Sequence, residues 1–467
     1  MLHWDPTLGN PAACFVPAKL CTQHTGVLDS EGHPKPTPQR LFVDDSVYAE
    51  VFQALRTRLE QAIACGIEAI FILLGQSDLK KRQDPISFAK MVEMMISHLN
   101  KILGQLINTR IMEVQVPPTY ITLTLRKLKP FHQGRKSFTV KEMETTTGML
   151  VFISSTAPWL KFLMSHIYVS IAAAIGSNTA HLRRTNKQFR QLLKDARAGR
   201  EPTRENTFSQ LELAKAIHSC PRKHFINITL QQELHLITTA LQSRHLKLGT
   251  PIGHLVHRDP SASAWSGSCL FAAGGYSTDM KFWWYIAWPD KIKSHTLVYV
   301  RNNKDRRLVS INVLEYAALL INYAAAYHFY LHNPDPADPY PQVLFYANNT
   351  ASKSLMVKAC NSSLIRRALS RLQCAMMINN KVGIRTDHVT TVANIIADRL
   401  LHIEHETHCT RDFLSLVQDF PALAGCKRFH PSAELASHIT DAILQKKFIN
   451  PMEVNQSILK NPGHLTS

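Results

Sequence analysis

A chain of 467 residues is too long for one simple core and predicts two to four domains. Hydrophobic residues make up 45% and charged residues 19%, which excludes a disordered chain, and no uninterrupted apolar run reaches the ~18 residues of a membrane span. Fifty-three Lys and Arg against 35 Asp and Glu give a net charge of +18. That excess favours polyanion partners, because each neutralised phosphate releases counterions; a basic but otherwise ordinary protein is the alternative.

The N-terminus, MLHWDPTLGNP, lacks the basic start and apolar core of a signal peptide. It opens in turn-forming residues, as a fragment of a longer reading frame would. The nine cysteines are scattered, odd in number and without a CxxC pair, which predicts free thiols in a reducing, intracellular compartment. Residues 1–40 read as an irregular segment. RLFVDD then forms a short apolar run closing on Asp44 and Asp45, and Val51, Leu55, Leu59 and Ile63 mark an amphipathic helix over 47–66. AIFILLG (69–75) reads as a buried strand, 87–106 as a helix, and 108–118 as a strand stopped by two prolines.

From 131 to 248 the reading is nearly all helix. Ser137 or Thr139 caps the first of these helices, and Gly176 is a plausible stop for the apolar stretch WLKFLMSHIYVSIAAAIG. That stretch belongs to the most apolar region, Val151–Ile175, which Pro158, Lys161, Ser165 and His166 interrupt, so no membrane association is expected. A basic amphipathic helix follows over 178–200. Arg183, Arg184, Lys187 and Arg190 on it, with Arg135 and Lys136 in HQGRKSF, would line a groove for nucleic-acid phosphates. An ordinary solvated helix face explains the helical residues nearly as well.

The texture changes at 249. Glycines, small residues and β-type runs lead through FWWYIAWP and HTLVYVRNN, and a strand then enters the long apolar helix RLVSINVLEYAALLINYAAAYHFYL. PQVLFYANNT and VGIRTDHV read as strands, SSLIRRALSRLQCAMMI and TTVANIIADRLLHI as helices. The pattern over 249–405 predicts a mixed α/β domain, followed by a helical tail over 406–467. In the tail His402, His405, His408, Cys409, Cys426 and His430 make a zinc site conceivable, although their spacing fits no standard finger and a solvated tail explains them. Phe282, Trp283, Trp284 and Trp288 read as core rather than as a base-stacking platform.

Glu315 and Asp398 each sit one turn inside an apolar helix of the mixed domain, where a buried acid needs a partner or a metal. Each also fits a helix surface or first turn. Two-metal phosphodiester chemistry would require further carboxylates from separate elements, converging on cations ~3.5–4 Å apart.

The blocks GSCLFAAGGYS, FWWYIAWP, INVLEYAALLINY, YANNTASKS and NIIADRLLHI resemble the ribonuclease H-like domain that follows the reverse transcriptase in retrotransposons of diatoms and related protists. RKLKPFHQGRKSFTVKEME and STAPWLKFLMSH are similar to the thumb and connection of that reverse transcriptase, and RLFVDDSVYAE to its palm motif. The resemblance implies an α/β (α+β mixed) fold: a remnant palm over 41–130, a helical thumb and connection over 131–248, and a ribonuclease H-like mixed sheet flanked by helices over 249–405. It also implies RNA–DNA hybrid or duplex as partner and Mg²⁺ or Mn²⁺ as cofactor in an active member.

Carried over residue by residue, the resemblance is incomplete. The family's helix glutamate matches Glu315 and its final aspartate matches Asp398, but its first-strand aspartate falls on Gly267 and its Asp-Asn-Thr turn on Asn348, Asn349 and Thr350. Two of four metal-binding carboxylates are therefore replaced, and both cations would be short of charge and ligands. Asp259 and Asp387 are spare acids whose register differs. Asp44 and Asp45 match the palm acids that bind the metal of the incoming nucleotide, and they equally suit a strand end that N-caps a helix. The fingers and first palm aspartate of the family lie upstream of Met1, so polymerisation is not expected. Two alternatives to an inactive nucleic-acid-binding fragment remain: a weakly active metal-dependent nuclease, and a scaffold for nucleic-acid or protein interaction.

Overall fold

The computed structural model describes residues 104–466 except 109, 133, 197–203, 256–257, 297–308, 359–362, 379–381, 404–412 and 447–448, and before them only short strands. The chain divides into a unit Met1–Ser97 and a unit His98–Ser467. In the first, β1 (Leu2–His3) pairs with β2 (Val16–Pro17), and β3 (Gln39–Leu41) pairs antiparallel with β4 (Ser46–Tyr48). The sequence VDD falls between β3 and β4, and Asp44 and Asp45 lie outside the described residues, as do the helix expected over 47–66 and the strand over 69–75.

The second unit opens with a hairpin, β5 (Leu99–Ile102) and β6 (Gln105–Asn108), where the sequence suggested the end of a helix. Gly104, at φ +79°, takes the left-handed turn between Ile102 and Gln105, and a helix cannot continue through that conformation. β7 (Glu113–Gln115) joins the hairpin, and α1 (Pro118–His132) follows. After β8 (Ser137–Phe138), α2 (Val140–Thr156) starts in a capping box. Thr139 Oγ1 accepts from the Glu142 amide and the Glu142 carboxylate accepts from the Thr139 amide.

A 3₁₀ turn (Pro158–Leu163) leads into α3 (Ser165–Thr185), which runs straight through Gly176. A buried helix face outweighs the ~1 kcal/mol that an interior glycine costs. The chain breaks instead at Asn186, which caps α4 (Lys187–Asp195) by accepting from the Phe189 amide at 3.1 Å, so the basic stretch expected as one helix is two. α5 (Arg204–His218), β9 (His224–Phe225) and α6 (Ile228–Gln242) complete a helical core built on Leu150, Leu160, Ile167, Leu230 and Ile237. Two short helices, α7 (Arg244–Lys247) and α8 (Ile252–Leu255), flank β10 (Thr250–Pro251).

The mixed domain follows: β11 (Ala262–Ser268), β12 (Ala272–Ser277), β13 (Phe282–Ala287), α9 (Asp290–Thr296), α10 (Ile311–His332), β14 (Gln342–Ala347), α11 (Thr350–Lys358), α12 (Leu364–Met377), β15 (Gly383–His388) and α13 (Ile395–Leu400). Of the strand expected over 295–303, residues 295 and 296 belong to α9 and the rest lie outside the described residues. After α14 (Phe413–Asp419) come β16 (Lys427–Pro431), α15 (Ala433–Leu444), α16 (Pro451–Lys460) and β17 (Gly463–Thr466). The tail thus supplies two strands as well as helices.

The sheet order is β15-β14-β11-β12-β13-β16-β17. β11, β12 and β13 form an antiparallel meander, β14 and β15 lie parallel to β11, and β16 lies parallel to β13. This mixed sheet flanked by helices is the α/β architecture expected from the sequence. α10 is apolar on every side because every side is covered: the sheet lies beneath it, and Tyr316 donates to Gln373 of α12 at 2.6 Å. The second face of the sheet carries α13 and α14 over Tyr276, Trp283 and Tyr285.

Two glycines of β12 set how closely the layers approach. A Cβ on Gly275 would stand 2.7 Å from both the Trp265 carbonyl oxygen and Trp284 Nε1, and one on Gly274 would stand 3.2 Å from Leu400 Cβ of α13. Gly275 is therefore required by packing.

Candidate active site

β11 and β14 run side by side in the same direction, with Ser266 opposite Ala347. Gly267 is the next residue along β11, and Asn348 directly follows the last residue of β14. α10 crosses the inner face of β11, and the Ser268 amide donates to the Glu315 carboxylate. On the other face α13 lies against the strand. A Cβ on Gly267 would meet Asp398 Oδ1 at 3.4 Å, Asn394 Nδ2 at 3.6 Å and Ala397 Cβ at 3.9 Å. Gly267 and Asp398 are thus neighbours, and Glu315 lies near enough to feel the Asp398 charge.

Their supports are specific. Asn394 is fully buried and donates from Nδ2 to the Ser266 carbonyl at 3.1 Å, tying the start of α13 to β11 one turn before Asp398. Asn349 accepts from the Ala351 amide at 2.9 Å and donates to Asn312 Oδ1 at 2.7 Å, which pins the β14–α11 turn to the first turn of α10, just before Glu315. Glu315 Oε2, Asn348 Oδ1 and Asn394 Oδ1 are buried acceptors without a hydrogen-bond partner. Sequence reasoning missed Asn394 as a contributor, although it opens the NIIAD motif that carried Asp398.

Burial, with a smaller contribution from the negative charge of Asp398, pushes the Glu315 carboxyl up to about 8 against the pull of the Ser268 amide. Asp398 is also raised by burial, with His402 pulling it down. Because Glu315 titrates near 4.5 when unfolded, the native state keeps a proton that the unfolded chain loses, and stability falls as pH rises from about 4.5 to about 8. Glu315→Gln removes that dependence. Its unfolding free energy should match wild type below about pH 4 and exceed it by roughly 5 kcal/mol above pH 8; denaturant titrations at the two pH values check this.

The remaining sequence candidates lie elsewhere. Asp259 is exposed and precedes the opposite end of β11, so it cannot take the place of a side chain at Gly267. Asp387 is bound by Lys353 at 2.6 Å, and that hydrogen bond holds its carboxyl below the usual range. Arg135 donates to both carboxylate oxygens of Glu142, at 2.7 and 2.9 Å, and so braces the cap of α2. Lys136, Arg183, Arg184, Lys187 and Arg190 are exposed, the last four around the α3–α4 break. Of the conceivable zinc ligands, His405, His408 and Cys409 lie outside the described residues, and His430 is engaged with Thr466. Among the described residues no three His, Cys, Asp or Glu side chains are grouped to hold a metal.

The donors near the end of β11 are two carboxylates, Glu315 and Asp398, with neutral amide oxygens. A two-cation site draws its charge balance from several carboxylates, so these residues do not fit a Mg²⁺ or Mn²⁺ pair. Packing leaves room for a side chain at Gly267, whose Cβ contacts are ordinary, unlike those of Gly275.

Fold and site together define a mixed α/β domain with two carboxylates, Glu315 and Asp398, near the end of the interior strand β11. No family model matches the chain, and no curated protein matches it. One similar solved structure is titled "Structure of the foamy viral protease-reverse transcriptase in complex with RNA/DNA hybrid", at 8% identity and a TM-score of 0.21, over 77% of this chain and 42% of that one. The chain therefore spans less than half the length of that neighbour.

Proposed function

We propose that the chain is a retroelement-derived reverse transcriptase and ribonuclease H-like fragment. It binds RNA–DNA hybrid or duplex inside the cell through charge and shape, without two-metal cleavage. The observation that carries this reading is Asp398 beside Gly267, with Glu315 bound to the amide of the next residue, Ser268, and Asn348 just past the end of β14. Two of the four carboxylates that the resemblance implies, Glu315 and Asp398, are present in the sequence, which supports a site short of ligands. A net charge of +18 supports a polyanion partner.

Hybrid affinity measured against salt tests the partner. Five phosphate contacts, through Lys136, Arg183, Arg184, Lys187 and Arg190, predict a log–log slope of about −4. Arg183→Gln combined with Arg184→Gln should reduce the magnitude of that slope by about 2. Absence of binding at low salt would refute the reading.

A further inference from the structure

Among the described residues, helices cover the second face of the sheet over β12 and β13 and leave it partly open over β11, β14 and β15, where Ser263, Trp265, Leu344, Tyr346 and Arg385 are half-buried. Across it runs a row of rings. Trp265 stands opposite Tyr276 on one side and Tyr346 on the other, and Tyr346 stands opposite Asp387. The Trp265–Tyr276 centroids are 5.2 Å apart at an interplanar angle of 13°, and the Trp265–Tyr346 centroids 5.1 Å apart at 20°. Those spacings are close to the ~4.8 Å between strands, so the rings stand on edge, stacked face to face across the sheet.

The two ends of this stack differ. Tyr276 is buried among Ala397, Leu400, Leu416 and Leu423. Tyr346, at the other end, is half-exposed, and the next position across the sheet carries no ring but the Asp387–Lys353 pair. A cross-strand aromatic ladder steadies a sheet, yet this one ends in two polar groups at the solvent edge rather than beneath an apolar cover.

We infer that Tyr346, backed by Trp265, is a stacking platform for an unpaired nucleobase, with Asp387 and Lys353 at the base edge. A base extends the stack because every base has a π face. The Asp387 carboxylate accepts from an amino or imino N–H, and the Lys353 ammonium donates to a ring carbonyl oxygen. Trp265 precedes Gly267 by two residues on the same face of β11, which sets the platform about 7 Å from the carboxylate cluster. The occupant is single-stranded nucleic acid: the chain carries +18, and exposed Arg399 on α13 adds a cation beside the cluster. The inference rests on the proposed nucleic-acid reading and adds to it an unpaired strand next to the hybrid.

The test uses the full chain with a short oligodeoxythymidylate and, separately, a blunt RNA–DNA hybrid. Saturating oligothymidylate should quench tryptophan emission in wild type. Trp265→Phe should lose that quench while binding nearly as tightly, because the other described tryptophans are buried. Tyr346→Leu should weaken oligothymidylate about tenfold, Tyr346→Phe should not, and blunt-hybrid affinity should stay unchanged in both. Unaltered emission at saturation, or equal oligothymidylate affinity in wild type and Tyr346→Leu, overturns the platform. Failure of wild type to bind oligothymidylate also overturns it, while retained hybrid binding with its salt slope would leave the proposed function standing. If Tyr346→Leu fails to fold, the wild-type and Trp265→Phe emission still decides.

Discussion

Glu233→Ala should lose about 3–5 kcal/mol of stability, read as a lower denaturant midpoint. Glu233 sits on α6 in the helical region and is 1% exposed. Its Oε1 accepts from the amides of His166 and Ile167, at 2.6 and 3.0 Å, at the start of α3. No side chain of the preceding residue, Met164, caps that helix, so a carboxylate from another helix meets the orphaned donors and the positive end of the dipole. Its second oxygen lies 3.5 Å from Arg371 of α12, beside Arg367, which contacts the His166 ring.

The cluster therefore clamps the helical region to the mixed domain, and α12 also contributes Cys374 and Ile378 to the helical core. Burial pushes the Glu233 carboxyl up to about 7, against the pull of Arg371 and the two amides. Truncation leaves Arg371 buried without its counter-charge and two amides without an acceptor. Glu233→Gln keeps an acceptor for the amides and should cost only about 1–2 kcal/mol. Equal losses in the two variants would mean that the charge carries the whole effect.

The second large effect is a gain. Gly267→Asp together with Asn348→Asp should convert a chain indifferent to divalent cations into one that Mn²⁺ stabilises. Gly267 lies outside the positive-φ residues, and its Cβ contacts of 3.4 Å and longer leave room for a side chain. Without cation, two more carboxylates beside Glu315 and Asp398 add like-charge repulsion and should lower stability relative to wild type. With Mn²⁺ at about 100 times its dissociation constant, the variant should regain about 2.7 kcal/mol. A thermal-shift series in Mn²⁺ reads both halves; no cation response in the variant would mean that the positions do not form one site.

The candidate residues were legible beforehand because they rest on local signals. Glu315 and Asp398 stand out as acids in apolar helical frames, and VLFYANNT reads as a strand ending in a turn. The structure sharpens that turn: Asn349 builds it, and Asn348 is left with an unpartnered buried oxygen. What escaped depends on partners distant in sequence. Glu233 in LQQELHL looks like a surface acid until Arg371 arrives from α12. KRFHP and GHLT lack the alternation of a strand; the edge of β13 makes KRFHP β16, and GHLT then adds to β16 as β17. The hairpin at Gly104 was hidden inside a helical apolar period. The Tyr276–Trp265–Tyr346 row needs three strands in register before it exists.

Cleavage of an RNA–DNA hybrid in Mn²⁺ tests the central claim most directly, comparing wild type with Gly267→Asp/Asn348→Asp. The geometry predicts no cleavage by wild type and Mn²⁺-dependent cleavage by the restored variant. Cleavage by wild type that Glu315→Gln abolishes would contradict it.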